Sequence, residues 1–303
     1  MSIELDAVSK SFDAVEAIRN VSLNVRQGEM FGLIGHNGAG KSTLFKLMLG
    51  LLPASAGAVR VGGVATSNPQ FRQVRRRIGY LPENFVSYDN LTGLEVLQLF
   101  ADLKQVARAE CGRVLRRVGL ADASGRRLHT YSKGMRQRLG FAQVLLGDPE
   151  LIFLDEPTNG LDPEGIADFY GILREAQGRG ATIVITSHIL ADIQDRVDRL
   201  VILDAGKVAA LGTLGELRAR QVLPSHIDAL LLPGCGSQAG PALAHLAGVT
   251  VILDGERALI ACAAALKVPV LAALAPMLAD VIIREPSLED LFFGYGGHHA
   301  RAH

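Results

Sequence analysis

An α/β fold with a mostly parallel sheet, a helical lobe inserted into it and a smaller α+β unit behind it is what this 303-residue chain predicts. Three observations carry the expectation. Up to about Arg218, short apolar runs alternate with longer stretches of helical periodicity, the pattern of strands joined by crossover helices. Between Gly93 and Arg127 that alternation is interrupted by helical patterns alone. Beyond Arg218 the composition changes: from Gln221 to Ile283 the charges are Asp228, Asp254, Glu256, Arg257, Lys267 and Asp280, in a background of Ala, Leu and Gly.

The elements follow in order. Strands are expected at Ile3–Val8, Val21–Val25, Met30–Ile34, Ala58–Val61, Leu151–Leu154, Thr182–Thr186 and Leu200–Leu203, each a short apolar or alternating run. Helices are expected at Lys41–Gly50, Gly93–Leu103, Ala109–Val118, Lys133–Leu146, Pro163–Gln177 and Ile189–Arg196. The second unit should hold strands at His226–Leu232, Val249–Leu253, Ala258–Cys262 and Val281–Arg284, alternating with apolar helices. This places one domain over residues 1–217, with a helical lobe at about 90–147, and an accessory α+β domain over 218–303.

Composition excludes several classes. Lys+Arg and Asp+Glu both total 31, so no global charge draws the chain onto nucleic acid or an anionic bilayer. The cysteines, Cys111, Cys235 and Cys262, are scattered and odd in number, which fits reduced thiols and not a disulfide frame or metal cage. The start MSIELDAVSK has no basic segment followed by an apolar one, so no signal peptide is expected. Leu266–Ile283 is the nearest approach to a membrane span, but Lys267, Pro269, Pro276 and Asp280 interrupt it. A buried helix running into a strand is the expectation there, with any membrane association arising through a partner.

The chemistry sits in five motifs. In GHNGAGKST (Gly35, His36, Asn37, Gly38, Ala39, Gly40, Lys41, Ser42, Thr43) the glycines let amide N–H groups fold round a phosphate. Lys41 brings positive charge to the β- and γ-oxygens of a nucleoside triphosphate, and the Ser42 hydroxyl suits Mg²⁺. The strand before the loop and the helix after it are the context the motif requires, because the helix's positive end adds to the anion site. LIFLDEP (Leu151–Pro157) is an apolar strand delivering Asp155 and Glu156 at its carboxyl end. Asp155 would hold the Mg²⁺ shell, and Glu156 would polarise the attacking water as general base. His188, in TSH, would hydrogen-bond the γ-phosphate and align Glu156 with that water. YSKGMRQ (Tyr131–Gln137) places Ser132 and Gly134 at a helix start, either an ordinary N-cap or a second γ-phosphate site. Its position just upstream of LIFLDEP favours the second, and a subunit cannot easily bring that site to its own phosphate loop. Two copies set head to tail would close two ATP molecules between them, with Asp162 of NGLD reaching across.

From Ile3 to about Leu217 the set resembles the nucleotide-binding subunit of an ABC transporter, a P-loop NTPase. The resemblance implies an antiparallel β subdomain beside the parallel sheet and helical lobe, with ATP and Mg²⁺ as cofactors. It also implies a homodimer acting on integral membrane permease subunits from the cytoplasmic face of a bacterial inner membrane. Phe12, in VSKSF, stands where that family stacks a ring on adenine, a core Phe being the alternative. Ser132, Lys133, Gly134 and Met135 occupy the signature acting in trans, although Lys133 replaces the usual first glycine and Met135 the usual Gln. Glu83, in RIGYLPEN, stands where many members carry a Gln touching Mg²⁺ and the lytic water; a carboxylate there can ligate Mg²⁺ but adds negative charge.

RIGYLPEN, TYSKGMRQRLGFAQ and PSLEDLFF (Pro286–Phe293) resemble ATPases serving a separate ABC-2-like membrane subunit. The nearest likeness is the ATPase of the copper-processing transporter that matures nitrous oxide reductase, which implies a periplasmic copper-handling partner. An exporter of another cargo, or a non-transport relative, is the alternative. Relatives acting on chromosomes need a coiled coil between phosphate loop and signature, and translation factors need two cassettes; neither feature is present, and no nucleic-acid partner is expected. The segment Tyr80–Leu91 is where the family receives the permease's coupling helix. Arg72, Arg75, Arg76 and Arg77 before it are either partner contacts or a solvated helix face, and His298, His299 and His303 either a metal-binding or a solvated tail.

Overall fold

Alternating burial brings the amino-terminal strands together. In the computed structural model, which describes residues 1–85, 88–187, 193, 195–220 and 224–284 (backbone alone at 218–220), the chain begins with β1 (Ile3–Phe12) and β2 (Val15–Val25). Ile3, Leu5, Val8, Val21, Leu23 and Val25 turn inward, and the pair closes through a tight turn with Asp13 at φ +49°. β3 (Met30–Ile34), buried at every residue, leads to α1 (Lys41–Met48). Then come β4 (Ala56–Val61), β5 (Val64–Ala65), the short helix α2 (Phe71–Arg75) and β6 (Ile78–Leu81).

The lobe that follows holds α3 (Gly93–Lys104), α4 (Glu110–Arg117) and α5 (Lys133–Leu145). Thr92 caps α3 in a reciprocal box with Glu95, and Lys104 donates to the carbonyls of Gln143 (2.8 Å) and Val144 (3.2 Å) at the end of α5. β7 (Leu151–Leu154), α6 (Pro163–Gly178), β8 (Thr182–Ser187), β9 (Arg199–Asp204) and β10 (Lys207–Gly212) complete the first unit.

Two sheets result. One is antiparallel in the order β2-β1-β4-β5. The other runs β10-β9-β3-β8-β7-β6, with β9, β3, β8, β7 and β6 parallel and β10 antiparallel on the edge. Side chains from both, including Phe31 and Phe153, merge in one core with Phe45 of α1 and Phe71 of α2. The mostly parallel sheet, the antiparallel subdomain and the helical lobe are thus as expected.

The short elements are the differences. β6, β10, β5 and α2 were not expected. β6 is four residues long with Gly79 inside it, and β10 is reached through a turn with Ala205 at φ +45° and Gly206 at φ +77° in place of the usual Asn-Gly. The helix expected over Ile189–Arg196 falls largely outside the described residues, as do His188, Pro286–Phe293 and the tail histidines.

The chain divides into compact units Met1–Thr213 and Leu214–His303. The second contains α7 (Leu214–Arg220), β11 (Ser225–Leu231), α8 (Gly236–Leu243), β12 (Thr250–Asp254), β13 (Arg257–Cys262), α9 (Lys267–Leu274) and β14 (Leu278–Arg284). Its antiparallel sheet, in the order β12-β13-β11-β14, buries Ile227, Ala229, Ile260 and Cys262 against Leu243 of α8 and Val270 and Leu274 of α9. Leu266–Ile283 is therefore a helix running into a strand. No helix among the described residues is long and apolar enough to cross a membrane.

β6 is pressed directly onto α5. A Cβ at Gly79 would lie 2.6 Å from Val144 Cγ1 and 2.7 Å from its carbonyl oxygen. Gly79→Ala must push strand and helix apart and is expected to cost about 1–3 kcal/mol. Calorimetry should show a Tm lower by several degrees; an unchanged Tm would contradict this packing.

Candidate functional site

Five parallel strands share one orientation, so all deliver their carboxyl ends to one edge of the sheet, and β3, β6, β7 and β8 carry the candidate site residues there. The loop after β3 is the glycine-rich one. Gly40 sits at φ +103°, and a Cβ there would meet the Ala17 carbonyl at 2.8 Å, so only glycine permits both the turn and the approach to β2. No side chain caps α1, which leaves the first N–H groups of that helix open to an anion.

Lys41 is folded back onto its own loop. Its Nζ donates to the carbonyls of Gly35 (2.6 Å) and His36 (3.2 Å). Burial lowers its pKa from the usual lysine value, while the nearby charges of Glu156, Asp155 and Glu83 oppose that shift. The loop is propped from behind by the β9–β10 turn. Gly206 N donates to the Ala39 carbonyl at 3.1 Å, and His36 Nε2 lies 3.1 Å from Asp204 Oδ1.

The carboxylates arrive from the neighbouring strands. Leu81 of β6 pairs with Leu154 of β7, and Asp155 N donates to the Leu81 carbonyl at 2.9 Å, which sets Glu83 and Asp155 on adjacent strand ends. Both Asp155 and Glu156 are buried. Burial raises the Asp155 pKa above the usual carboxylate value, and Glu83 adds to the rise; a hydrogen bond from Thr186 opposes it. Glu156 adopts φ +49°, an unusual conformation for a non-glycine residue. Thr186, at the end of β8, fixes both acids. Its Oγ1 donates to Asp155 Oδ1 (2.7 Å) and accepts from Glu156 N (2.9 Å). The motif TSH pointed to His188 and gave no role to this threonine. A hydroxyl at the end of the strand adjoining the acidic pair was the available signal.

An open cleft of about 440 Å³ gathers His36, Asn37, Gly38, Gly40, Lys41, Ser42 and Thr43 with Glu83, Asp155 and Glu156. Phe12 lies outside its lining, at the end of β1, 43% exposed and with Lys10 Nζ 5.0 Å over its ring, so the core alternative is excluded. The tetrapeptide Ser132–Met135 also lies outside it.

Ser132 caps α5, accepting from Met135 N at 3.2 Å. Around it the start of α5 is tied to the segment after β7. Gln137 Nε2 donates to the Pro157 carbonyl (2.8 Å), and a Cβ on Gly134 would meet the Gly160 carbonyl at 3.0 Å. Gly160, at φ +87°, lies under the Lys133 stem, whose Cδ would be 2.9 Å from a built Cβ. Asp162 caps α6 through Gly165 N (3.0 Å) and lies 3.7 Å from Arg138. The departure Lys133 is thus accommodated along the chain's own Gly160 segment. Of the arginine group, Arg75 donates to the Leu49 and Gly50 carbonyls and Arg77 pairs with Glu150.

A phosphate loop, two strand-end acids and a helix-borne signature on this sheet define a P-loop ATPase. Comparison with known proteins agrees: residues 18–159 match the family model described as ABC transporter. The daunorubicin resistance ATP-binding protein DrrA3 of Streptomyces coeruleorubidus is 34% identical over 99% of this chain and 97% of its own. A solved structure described as the ATP-binding subunit of an ABC transporter is 35% identical, with TM-score 0.68 over 73% of this chain and 93% of that one. A second, the ATP-binding cassette MJ0796 as a post-hydrolysis dimer bound to ADP and Pi, is 25% identical with TM-score 0.65 over 70% and 98%. The chain belongs to the ATP-binding subunits of ABC transporters and is an ATPase.

Thr186→Val removes the donor to Asp155 and the acceptor for Glu156 N at one stroke, inside the fold. A stability loss of about 1–3 kcal/mol is expected, together with slowed ATP hydrolysis, whereas Thr186→Ser should retain both. Urea unfolding and phosphate release on the two variants would check it.

Proposed function

We propose that the chain is the ATPase of an ABC-2-type exporter, working as a homodimer on integral membrane permease subunits at the cytoplasmic face of the inner membrane. The observation that carries the site reading is the convergence of Lys41, Asp155 and Glu156 on one cleft. The exporter reading rests on the nearly full-length likeness to a daunorubicin resistance protein.

In this reading the triphosphate displaces Lys41 from its own loop carbonyls, and the ammonium turns to the β- and γ-oxygens. Amides of Gly35–Thr43 and the uncapped end of α1 hold the remaining negative charge. Mg²⁺ suits the donor set present, which is all oxygen: the Ser42 hydroxyl and the Asp155 carboxylate, with Glu83 as a further donor. Thr186 already orients Asp155 for such a role. Bound there, the ion would supply charge neutralisation to the phosphates. Glu156, on the cleft lining, accepts the proton of the attacking water. His188 keeps its proposed role beside the γ-phosphate. Phe12, exposed on its strand end, offers a stacking face to adenine.

A second copy supplies Ser132, Lys133, Gly134 and Met135 to the γ-phosphate and Asp162 across the seam, as the dimeric MJ0796 cassette with its ADP and Pi suggests. Tyr88, Leu99 and Leu103 leave apolar surface exposed beside and on α3, which supports docking of a permease helix near Tyr80–Leu91. The finer cargo reading, copper handling for nitrous oxide reductase maturation with a periplasmic copper partner, rests on the sequence resemblance alone. The resistance-type relative favours an exporter of another cargo. Co-purified membrane subunits, followed by metal analysis of the complex, would decide between them.

Glu156→Gln should lower hydrolysis about a hundredfold or more while ATP-driven dimerisation persists. Parental turnover in that variant would remove Glu156 as the base. Lys41→Ala should raise the Kd for ATP at least about tenfold, read by titration calorimetry; an unchanged Kd would contradict the phosphate-loop assignment.

A further inference from the structure

A second cleft, of about 440 Å³, lies between α4, α5 and α6 and shares no lining residue with the nucleotide cleft. Small residues open it. Ala167 and Gly171 lie one turn apart on α6, and a Cβ built on Gly171 meets nothing within 4 Å. Ile172 contributes an aliphatic wall, and Phe141 and Phe169 an aromatic one, their ring centroids 4.3 Å apart.

The charges on this lining are unevenly matched. Arg117 is engaged by Glu175, but Arg138, reaching in from α5, has no such partner. A Cβ on Gly119 would lie 3.4 Å from Arg138 Nη1, and one on Gly165 3.1 Å from Nη2. The guanidinium thus occupies a slot between two residues without side chains. Asp162 Oδ1, 3.7 Å away, is beyond hydrogen-bond distance and already accepts from Gly165 N at 3.0 Å. Among the described residues the Arg138 N–H groups therefore reach no acceptor, although the side chain is only 35% exposed. Arg116 and Asp168, both exposed on the same lining, have no ion pair among the described residues either. Two unmatched cations against one unmatched acid leave the cleft suited to an anion. A planar cation with free donors takes a carboxylate or sulfonate through two parallel N–H bonds, and the neighbouring walls take an apolar body.

We propose that this cleft binds a small amphiphilic anion, its acid group forked on Arg138 and its rings against Phe141, Phe169 and Ile172. An occupant there bridges the helical lobe to α6, beside the Asp162 cap. The site stands apart from the ATPase reading and needs no nucleotide.

The probe is anilinonaphthalene sulfonate, titrated by fluorescence into the nucleotide-free full chain. Phenylnaphthylamine, with the same rings and no acid group, is the control. Gly171→Leu fills the cleft from a helix position where leucine is favoured over glycine, so it should raise the probe's Kd about tenfold or more with no fall in Tm. Arg138→Gln should raise it about tenfold, and Arg116→Gln, on the surface, about threefold. Asp168→Asn should lower it. Phenylnaphthylamine should bind about tenfold more weakly than the sulfonate and ignore all three charge changes. A Kd unmoved by Gly171→Leu or by both arginine changes, or a control bound as tightly as the sulfonate, would overturn the proposal. Weaker binding of the probe to Asp168→Asn would do the same. If Arg138→Gln does not fold, Gly171→Leu and Arg116→Gln decide the matter.

Discussion

Parallel strand alignment is the constraint from which the nucleotide site follows. Because β3, β6, β7 and β8 run the same way in neighbouring register, one sheet edge receives the phosphate loop, Glu83, the acidic pair and Thr186 together. None of these groups needs a long-range tether of its own. Thr186 lies within the last residues of β8, and the phosphate loop, Glu83 and the acidic pair begin one or two residues past the ends of largely buried strands. Local hydrogen bonds then trim the arrangement. Thr186 fixes the acids, and the β9–β10 turn holds the loop from behind.

Much of this was legible in the sequence, for a physical reason. Buried parallel strands read as nearly continuous apolar runs, so Met30–Ile34, Leu151–Leu154 and Thr182–Thr186 announce themselves, and candidate site residues lie at or just past their ends. The helices of the lobe carry clear periodicity and, at Thr92 and Ser132, capping side chains. What escaped was short or irregular. β6, only four residues long and interrupted by Gly79, is held as a strand by its pairing with β7, and β10 exists because a turn through Ala205 and Gly206 folds it onto β9. Thr186 carried only a faint signal, a hydroxyl at a strand end, because its role is to bond backbone and carboxylate of the neighbouring strand, which spacing along the chain does not show.

The signature departures illustrate how context absorbs an unusual residue. Lys133 would crowd a glycine site if it pointed outward from the helix start. Its stem lies instead over Gly160, whose positive φ and missing Cβ make the room. The residue that tolerates the substitution is thus far from it in sequence and adjacent in space.

That same packing makes the start of α5 and the turn after β7 a single mechanical body. Gln137 grips Pro157, Gly134 abuts Gly160, Lys133 lies across it, and Arg138 sits beside Asp162. A force that tilts the helical lobe through α5 therefore acts as a lever whose short arm is the peptide immediately following Glu156. Strain felt at the outer helices would be handed through these contacts to the segment that follows Glu156.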